Sequence, residues 1–494
     1  MSILVIACLA AGAITFQPQE MPGLHAGPVL PFTGLPSVNY RQADIDGNGL
    51  VDLVFDTALW TQQAGLFPPE RRQPLPQAAV GALLDVDNGR IYCIREGRLI
   101  VLHWKDGALA VETNQKLDWP IDGNDSKAGL GRFLHDINGD HVPELVAVDE
   151  HTVTLFALRE NLYVKAAQLA GVLPELRYLQ LPQQPLWPKS RRALAFPARQ
   201  MACDLVVDGA ALSVIFRDPV PGGRFVFQYA TRTLSAKDGE YCAEPAVVVP
   251  SAPVPEHVRP CRLNSDGIPD LAGCRREDST GRSIPFSMVE TWASLDGGKT
   301  FAVRRAAAMD RFLPQIPFVD VDGDGLTDLV TESTGLFEGG TREVVERFMT
   351  STEIAHTVRV YLQKPGGFSE TPAVEFQVEI TLEAAPWRLP PMYDRYQSGT
   401  LVNVSGDFDG DGHRDIAVRD RADRVAVWLA RGGAFSREPD TVVRIDAASE
   451  YAVADVNSDG RADIIETRDA SPPPGKRGRM TVVHFALCGK GGMP

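Results

Sequence analysis

Apolar residues along this chain come in short runs. Arg98–Trp104 (RLIVLHW), Thr152–Leu158 (TVTLFAL), Val358–Gln363 (VRVYLQ), Val425–Gly432 (VAVWLARG) and Thr481–Leu487 (TVVHFAL) are rich in β-branched, leucine and aromatic residues. Gly, Pro and Asp bound each run, which is the signature of short strands joined by turns. Helical periodicity is scarce: only 160–173 and 341–350 carry it, and both read as helices inside insertions. The proline-rich stretch 174–200 and the segment 383–400 read as irregular excursions. The pattern predicts an all-β protein.

A second pattern sits between the strands. Asp320–Val330 reads DVDGDGLTDLV, and five relatives follow the frame D-x-[DN]-[GS]-[DN]-G-x-x-[DE]-[LI]. They start at Asp44, Asp136, Arg262, Asp407 and Asp455. Two decayed starts, at LLDVDNGR near 85 and MACDLVVDG near 203, bring the set to eight: 44, 85, 136, 203, 262, 320, 407 and 455. Repeats roughly 50 to 60 residues apart fall in the range of propeller blades. The expected architecture is therefore a β-propeller over 36–490 with eight blades, or seven if the unit at 85 belongs to the first. Insertions are expected at about 160–200 and 331–400. One further turn, Ser294–Phe301 (SLDGGKTF), fits an Asp-box hairpin.

Numbering each loop from its first residue, positions 1, 3, 5 and 9 carry oxygen side chains and position 6 is Gly, free to take positive φ. Crowded carboxylates raise one another's pKa unless a cation compensates them. Oxygen donors without Cys or His point to calcium. The expected ligands, with position 7 giving its carbonyl, are Asp44, Asp46, Asn48, Leu50 and Asp52; Asp320, Asp322, Asp324, Leu326 and Asp328; Asp407, Asp409, Asp411, His413 and Asp415; and Asp455, Asn457, Asp459, Arg461 and Asp463. The loop Asp136, Asn138, Asp140, Val142 and Glu144 is weaker, because His141 stands where Gly is expected. Four to five Ca2+ ions are expected. An EF-hand would need Glu at position 12, where this chain has Phe55, Ala147, Thr331, Val418 and Glu466. Arg262 occupies position 1 of the sixth loop, so no ion is expected there. Its guanidinium is expected to pair with Asp266 or Asp270, and a Cys261–Cys274 disulfide to staple the flanking strands.

These residues resemble FG-GAP or VCBS repeats, the calcium-loop blades of integrin-α-like β-propellers. The resemblance implies four-stranded blades around an axis, with calcium in a loop joining two strands of one blade. Proteins with such blades are mostly secreted or surface modules for protein or glycan partners, and some carbohydrate enzymes use similar propellers.

Composition adjusts this picture. The formal charge is −15, which argues against nucleic-acid binding. The five loops hold seventeen acidic side chains at positions 1, 3, 5 and 9, so five divalent ions would bring the charge to −5. The apolar run Ile3–Ala13 reads as a signal peptide over 1–13, with Ala11-Gly12-Ala13 as cleavage site, although a basic start is missing. Val5–Cys8 is a loose lipobox. Residues 14–35 then form a linker. No segment is long enough to span a membrane, so a secreted, periplasmic or cell-surface protein is expected. The six further cysteines, Cys93, Cys203, Cys242, Cys261, Cys274 and Cys488, allow disulfides in such a compartment.

No catalytic motif is present: the chain lacks H-E-x-x-H, G-x-S-x-G and a P-loop. The expected function is a monomeric, non-catalytic binding, adhesion or scaffold module for a protein or glycan. The alternative is a carbohydrate-active enzyme, a polysaccharide lyase or glycosidase. Arg282-Ser283-Ile284-Pro285 and the aromatics Trp387, Tyr393 and Tyr396 motivate that alternative.

Overall fold

A computed structural model of the chain describes residues 14–22, 24, 26–29, 36–38, 40–119, 132–148, 152–170, 177–179, 196–198, 201–208, 211–219, 227–237, 240–244, 247–248, 258–264, 270–277, 286–295, 300–309, 318–334, 346, 353–364, 367–381, 402–404, 406–431, 435–447, 449–470 and 478–488. The architecture is all-β. Among the described residues, eight antiparallel sheets have four strands or more, and three have two.

We number the larger sheets in chain order. Sheet 1 is Tyr40–Ala43, Asp52–Phe55, Ala58–Trp60 and Arg72–Pro74. Sheet 2 is Leu83–Asp87, Arg90–Arg95, Arg98–Lys105 and Ala108–Lys116, and sheet 3 is Leu134–His135, Glu144–Val148, Thr152–Arg159 and Leu162–Ala170. Sheet 4 is Met201–Asp208, Ala211–Pro219, Phe227–Lys237 and Glu240–Ala243, with Val247–Val248 added beside its third strand. Sheet 5 is Val258–Cys261, Asp270–Glu277, Phe286–Leu295 and Thr300–Met309. Sheet 6 is Phe318–Val319, Asp328–Thr334, Glu353–Tyr361 and Val374–Thr381. Sheet 7 is Val402–Asn403, Ile416–Arg421, Arg424–Trp428 and Thr441–Arg444. Sheet 8 is Glu450–Ala454, Asp463–Ala470 and Gly478–Cys488, completed by Ile14–Glu20 from the start of the chain.

The unbroken apolar runs of the middle strands follow from packing on both faces. Side chains alternate across a strand. In sheet 1, Leu53 and Phe55 enter a core shared with Val483 and Phe485 of sheet 8, while Val54 enters a core shared with Ile91 and Cys93 of sheet 2. Tyr92 and Ile94 of sheet 2 face the other way, toward Leu145 and Phe156 of sheet 3. Similar cores join sheet 3 to sheet 4, sheet 6 to sheet 7 and sheet 7 to sheet 8. Hydrogen bonds join sheet 5 to sheet 6: Thr327 N–H to the Arg262 carbonyl at 2.7 Å, and Gln363 Nε2 to the Leu263 carbonyl at 2.8 Å. Among the described residues, sheets 1 to 4 and sheets 5 to 8 are thus packed on their chain neighbours, and the last sheet packs on the first.

Several expectations are corrected. The helix expected over 160–173 is the outer strand of sheet 3, Leu162–Ala170, because Thr152–Arg159 supplies a pairing edge that outweighs local propensity. That strand, and the sheet 6 strands at 353–361 and 374–381, narrow the expected insertions. The 14–35 linker begins with Ile14–Glu20, paired from Ile14↔Cys488 to Glu20↔Val482. The unit at 85 is a sheet of its own. The stretch 174–200 contains a two-stranded ribbon, Arg177–Leu179 with Phe196–Ala198. The Asp-box stretch is a hairpin, with Leu295 opposite Thr300. The signal segment, the 341–350 helix (Glu346 apart), Arg282–Pro285 and the aromatics Trp387, Tyr393 and Tyr396 lie outside the described residues. Among the described residues, no helix is long and apolar enough to cross a membrane.

Candidate metal centres

Each acidic loop joins the first and second strands of its sheet, and each folds by the same hydrogen bonds. The position 1 carboxylate accepts two backbone N–H groups: Asp44 from Gly47 and Gly49, both at 2.9 Å, and Asp320 from Gly323 and Gly325 at 2.8 and 2.9 Å. Asp407 accepts from Gly410 and Gly412, and Asp136 from Gly139 and His141. Position 3 accepts from the N–H of position 5, and position 5 from that of position 7, as in Asp409 to Asp411 to His413. These local acceptors turn the chain back on itself.

Two positions need positive φ. Position 6 has φ of 81° at Gly49, 84° at Gly325, 90° at Gly412 and 85° at Gly460. His141 adopts the same turn at 65°, so the 136 loop keeps the fold despite its missing glycine. Position 4 is also left-handed, at 76° to 78° in four loops and 54° at Ser458.

Position 9 has a role the motif alone did not reveal. Asp415 is fully buried; one oxygen accepts from Phe408 N–H of the loop at 2.6 Å and the other from Ala430 N–H, past the end of the third strand, at 2.8 Å. Asp52 likewise ties Ile45 to Gln62, Asp328 ties Val321 to Gln363, and Asp463 ties Val456 to Ala486. Gln62 and Gln363 also reach the preceding sheet's loop through Nε2. Each stands two residues after an aromatic, Trp60 or Tyr361, a sequence signal that had gone unread.

Burial pushes Asp52 and Asp328 up to about 6 and Asp415 up to about 7, and raises Asp409, Asp455 and Asp463 as well. Desolvation is the leading cause each time; neighbouring loop carboxylates add to it, against the backbone N–H donors. A divalent cation would supply the missing compensation.

The loops fall into two groups by the residue at position 3, Asp in the 44, 320 and 407 loops and Asn in the 136 and 455 loops. Oxygens of Asp44, Asp46 and Asp52 lie within 4.8 Å of one another, as do those of Asp320, Asp322 and Asp328 and those of Asp407, Asp409 and Asp415. Hard oxygen donors gathered this closely fit calcium. Asn48, Asp324 and Asp411 at position 5 turn an oxygen to the N–H of Leu50, Leu326 and His413. In the other two loops protein groups meet part of the acidic charge, as Asn48 and Arg71 do at Asp46 in the 44 loop. In the 455 loop, Asp459 faces Arg461 Nη1 at 3.9 Å and Asn457 Nδ2 at 3.3 Å. In the 136 loop, Glu144 accepts from the Tyr241 hydroxyl at 2.5 Å and from Asn138 Nδ2 at 3.0 Å.

The EF-hand alternative fails even where position 12 is Glu: Glu466 lies on a strand, 3.0 Å from His484 Nε2 and holding Asp446 N–H. In the sixth loop, Asp270 holds Leu263 and Asn264 N–H groups at 2.5 and 3.1 Å. Arg262 binds through its backbone, donating N–H to Thr327 Oγ1 at 3.0 Å. Among the described residues its guanidinium makes no ion pair with Asp270; Asp266 lies outside them.

The Cys261–Cys274 disulfide is also corrected. Cys261 is a free thiol opposite Asp270, whereas Gly273 pairs with Val258. Cys274 lies four residues along the partner strand, roughly 13 Å away at the strand rise, beyond disulfide reach. Cys93 and Cys242 are free thiols too.

Neighbouring loops touch. Arg414 N–H donates to the Val321 carbonyl at 3.1 Å, Ala462 N–H to the Asp407 carbonyl at 2.6 Å, and Gln42 Nε2 to the Asp455 carbonyl at 2.8 Å. The loops of sheets 5, 6, 7, 8 and 1 therefore form one continuous band.

Residues 407–465, running from the loop of sheet 7 through that of sheet 8, match the family model of the FG-GAP-like repeat. The chain carries an FG-GAP repeat. A search of curated proteins finds no match. Among solved structures, the chain is similar at 13% identity and a TM-score of 0.23 to a Bacillus licheniformis rhamnogalacturonan lyase, over 57% of this chain and 63% of that one. It is similar at 9% identity and a TM-score of 0.24 to a triple arginine-to-alanine mutant of AofleA from Arthrobotrys oligospora, over 87% and 90% of the two chains. The chain thus spans less than two thirds of the lyase's length.

Proposed function

We propose that this FG-GAP chain is an exported, calcium-stabilised β-propeller of eight blades that serves as a non-catalytic binding module for a protein or glycan. The observation that carries the reading is the grouping of three carboxylates at one equivalent place in sheets 1, 6 and 7. Asp44, Asp46 and Asp52, with their counterparts in the other two loops, would hold the ions. Calcium supplies charge compensation there: it neutralises carboxylates whose burial opposes ionisation, and so fixes each loop to its sheet. The packing of sheets 1 to 4 and of sheets 5 to 8 on their chain neighbours, the packing of sheet 8 on sheet 1, and the pairing of Ile14–Glu20 with Gly478–Cys488 support a closed ring. Closure buries the faces that the first and last blades would otherwise leave open to solvent.

The test has two arms. Calorimetry with and without chelator is expected to show a large loss of thermal stability on removing calcium; an unchanged melting temperature sinks the metal reading. A glycan array in calcium, followed by a reducing-sugar assay on whatever binds, is expected to give binding without product. Release of sugar ends would make the protein an enzyme.

A further inference from the structure

Sheet 2 interrupts the band of loops. Its first two strands are joined by a tight turn at Asn88 and Gly89, with φ of 45° and 71°, instead of a nine-residue loop. Between this turn and the loop of sheet 3 lies a cavity of about 330 Å3. Tyr92 and Tyr163 line it, buried and set edge to face at 6.5 Å. Tyr163 is anchored by its hydroxyl, which donates to the Pro143 carbonyl at 3.1 Å. One wall is the Arg90–Glu112 pair, joined at 2.7 and 3.3 Å. The other carries Leu158, 41% exposed at the mouth, and Asn161 on the turn beside it.

We propose that this cavity is a binding site for a neutral saccharide of one or two rings. The proposal rests on the binding-module reading above and names its ligand class and place. A sugar ring offers an apolar C–H face and an edge of adjacent hydroxyls, each both donor and acceptor. The cavity offers the complement: leucine, proline and tyrosine carbon with the Asn161 amide on one side, and a planar guanidinium beside carboxylates on the other. Arg90 supplies donors, Glu112 and Asp87 supply acceptors, and Asn161 supplies both. The mixed signs of Arg90, Asp87 and Glu112 disfavour a strongly charged ligand. The cavity's size lies at the small end of ligand sites, which suits one or two rings better than an extended chain.

The experiment is a glycan array of the full chain in calcium, then titration calorimetry of the strongest saccharide against three variants. Arg90→Ala is expected to weaken binding at least tenfold, and Thr113→Trp, which fills the cavity from sheet 2, to abolish it. Arg444→Ala breaks a comparable exposed pair, Arg444–Asp423, on sheet 7 and is expected to leave affinity unchanged. Melting temperatures of all three are expected to match the parent, which separates lost binding from lost folding. Saccharide binding that survives both Arg90→Ala and Thr113→Trp overturns the site while leaving the module reading intact. A blank array from folded, calcium-loaded protein overturns the saccharide. So does capture of a peptide that Thr113→Trp blocks, since the cavity would then serve a protein partner.

Discussion

Sheets 2 and 7 meet the same problem with opposite chemistry. Each must fix the junction of its first two strands and hold it to its surroundings. Sheet 7 uses the loop 407–415, whose buried Asp415 collects N–H groups from the loop and from beyond the third strand. Arg431 eases Asp409 without reversing its rise, and the grouped carboxylates fit a cation from solution. Sheet 2 has the short turn and a single buried carboxylate, Asp85, on its first strand. Asp85 accepts Phe133 and Leu134 N–H at 2.8 and 2.9 Å, and Arg132 and Arg41 bring their Nε atoms to 3.3 and 3.5 Å. Here the compensating charge is built into the chain, on sheets 1 and 3. One solution depends on the medium and the other does not.

The largest break between them is removal of calcium. A ligand at a hundredfold excess over its dissociation constant stabilises by about 2.7 kcal/mol per site, so three loops together give about 8 kcal/mol. We expect the denaturation midpoint to fall accordingly in chelator. Hydrogen exchange locates the effect: the amides of Gly323, Gly325, Gly410 and Gly412 should lose protection, while those of Phe133 and Leu134, held by Asp85, keep theirs. Equal loss at both places would mean the two junctions are not independent.

Next in size is Asp85→Ala. It leaves two N–H groups without their acceptor and a mostly buried Arg41 without its carboxylate. Breaking a buried pair in this way costs about 3–5 kcal/mol. The comparison demands that the loss, read from denaturant unfolding, be the same in calcium and in chelator. A loss that vanishes when calcium is withdrawn would tie Asp85 to the ions after all.

A smaller effect follows from pH. Burial raises Asp52, Asp328 and Asp415 to about 6, 6 and 7, so the cation-free folded protein binds protons that the unfolded chain has already released. The stability these groups give is fully present below the ordinary carboxylate value and is lost as pH rises through 6 to 7. In chelator, the midpoint should therefore drop between pH 5 and pH 8. In calcium the sign should reverse, because the ion binds the ionised form. Parallel profiles in the two media would contradict the assignment of these carboxylates.

The loops were legible because their chemistry is local: nine residues contain the turn, the donors and most of the hydrogen bonds. The start near 85 was legible as a sheet boundary but not as a charge cluster. Arg41 and Arg132 stand 44 and 47 residues from Asp85 in the sequence, and only packing of three sheets brings them together. The same holds for Ile14–Glu20, which read as a linker because its partner strand lies at the other end of the chain. Leu162–Ala170 misled for another reason. Its Lys165, Ala166, Ala167 and Gln168 are good helix formers, and the neighbouring strand overrode them. Tyr241 on Glu144 was likewise beyond reach, since a loop cannot announce a hydroxyl from the next sheet.

The smallest prediction concerns the 136 loop, which lies between the two solutions. It keeps the turn of the calcium loops but fills part of its own acceptor demand through Tyr241 and Asn138. His141 holds φ at 65° with its side chain 93% exposed, so the residue strains the backbone without packing in return. A non-glycine residue in this region costs about 1–2 kcal/mol, whereas glycine costs about 0.4–1 kcal/mol through a freer unfolded chain. His141→Gly should thus stabilise the protein by about 0.5–1 kcal/mol in urea unfolding, and by the same amount with or without calcium if this loop holds no ion. The converse change, Gly412→His, should destabilise, and more so in calcium, where the distorted loop would also bind its ion less tightly. If His141→Gly stabilises only in calcium, the 136 loop belongs with the ion-dependent group.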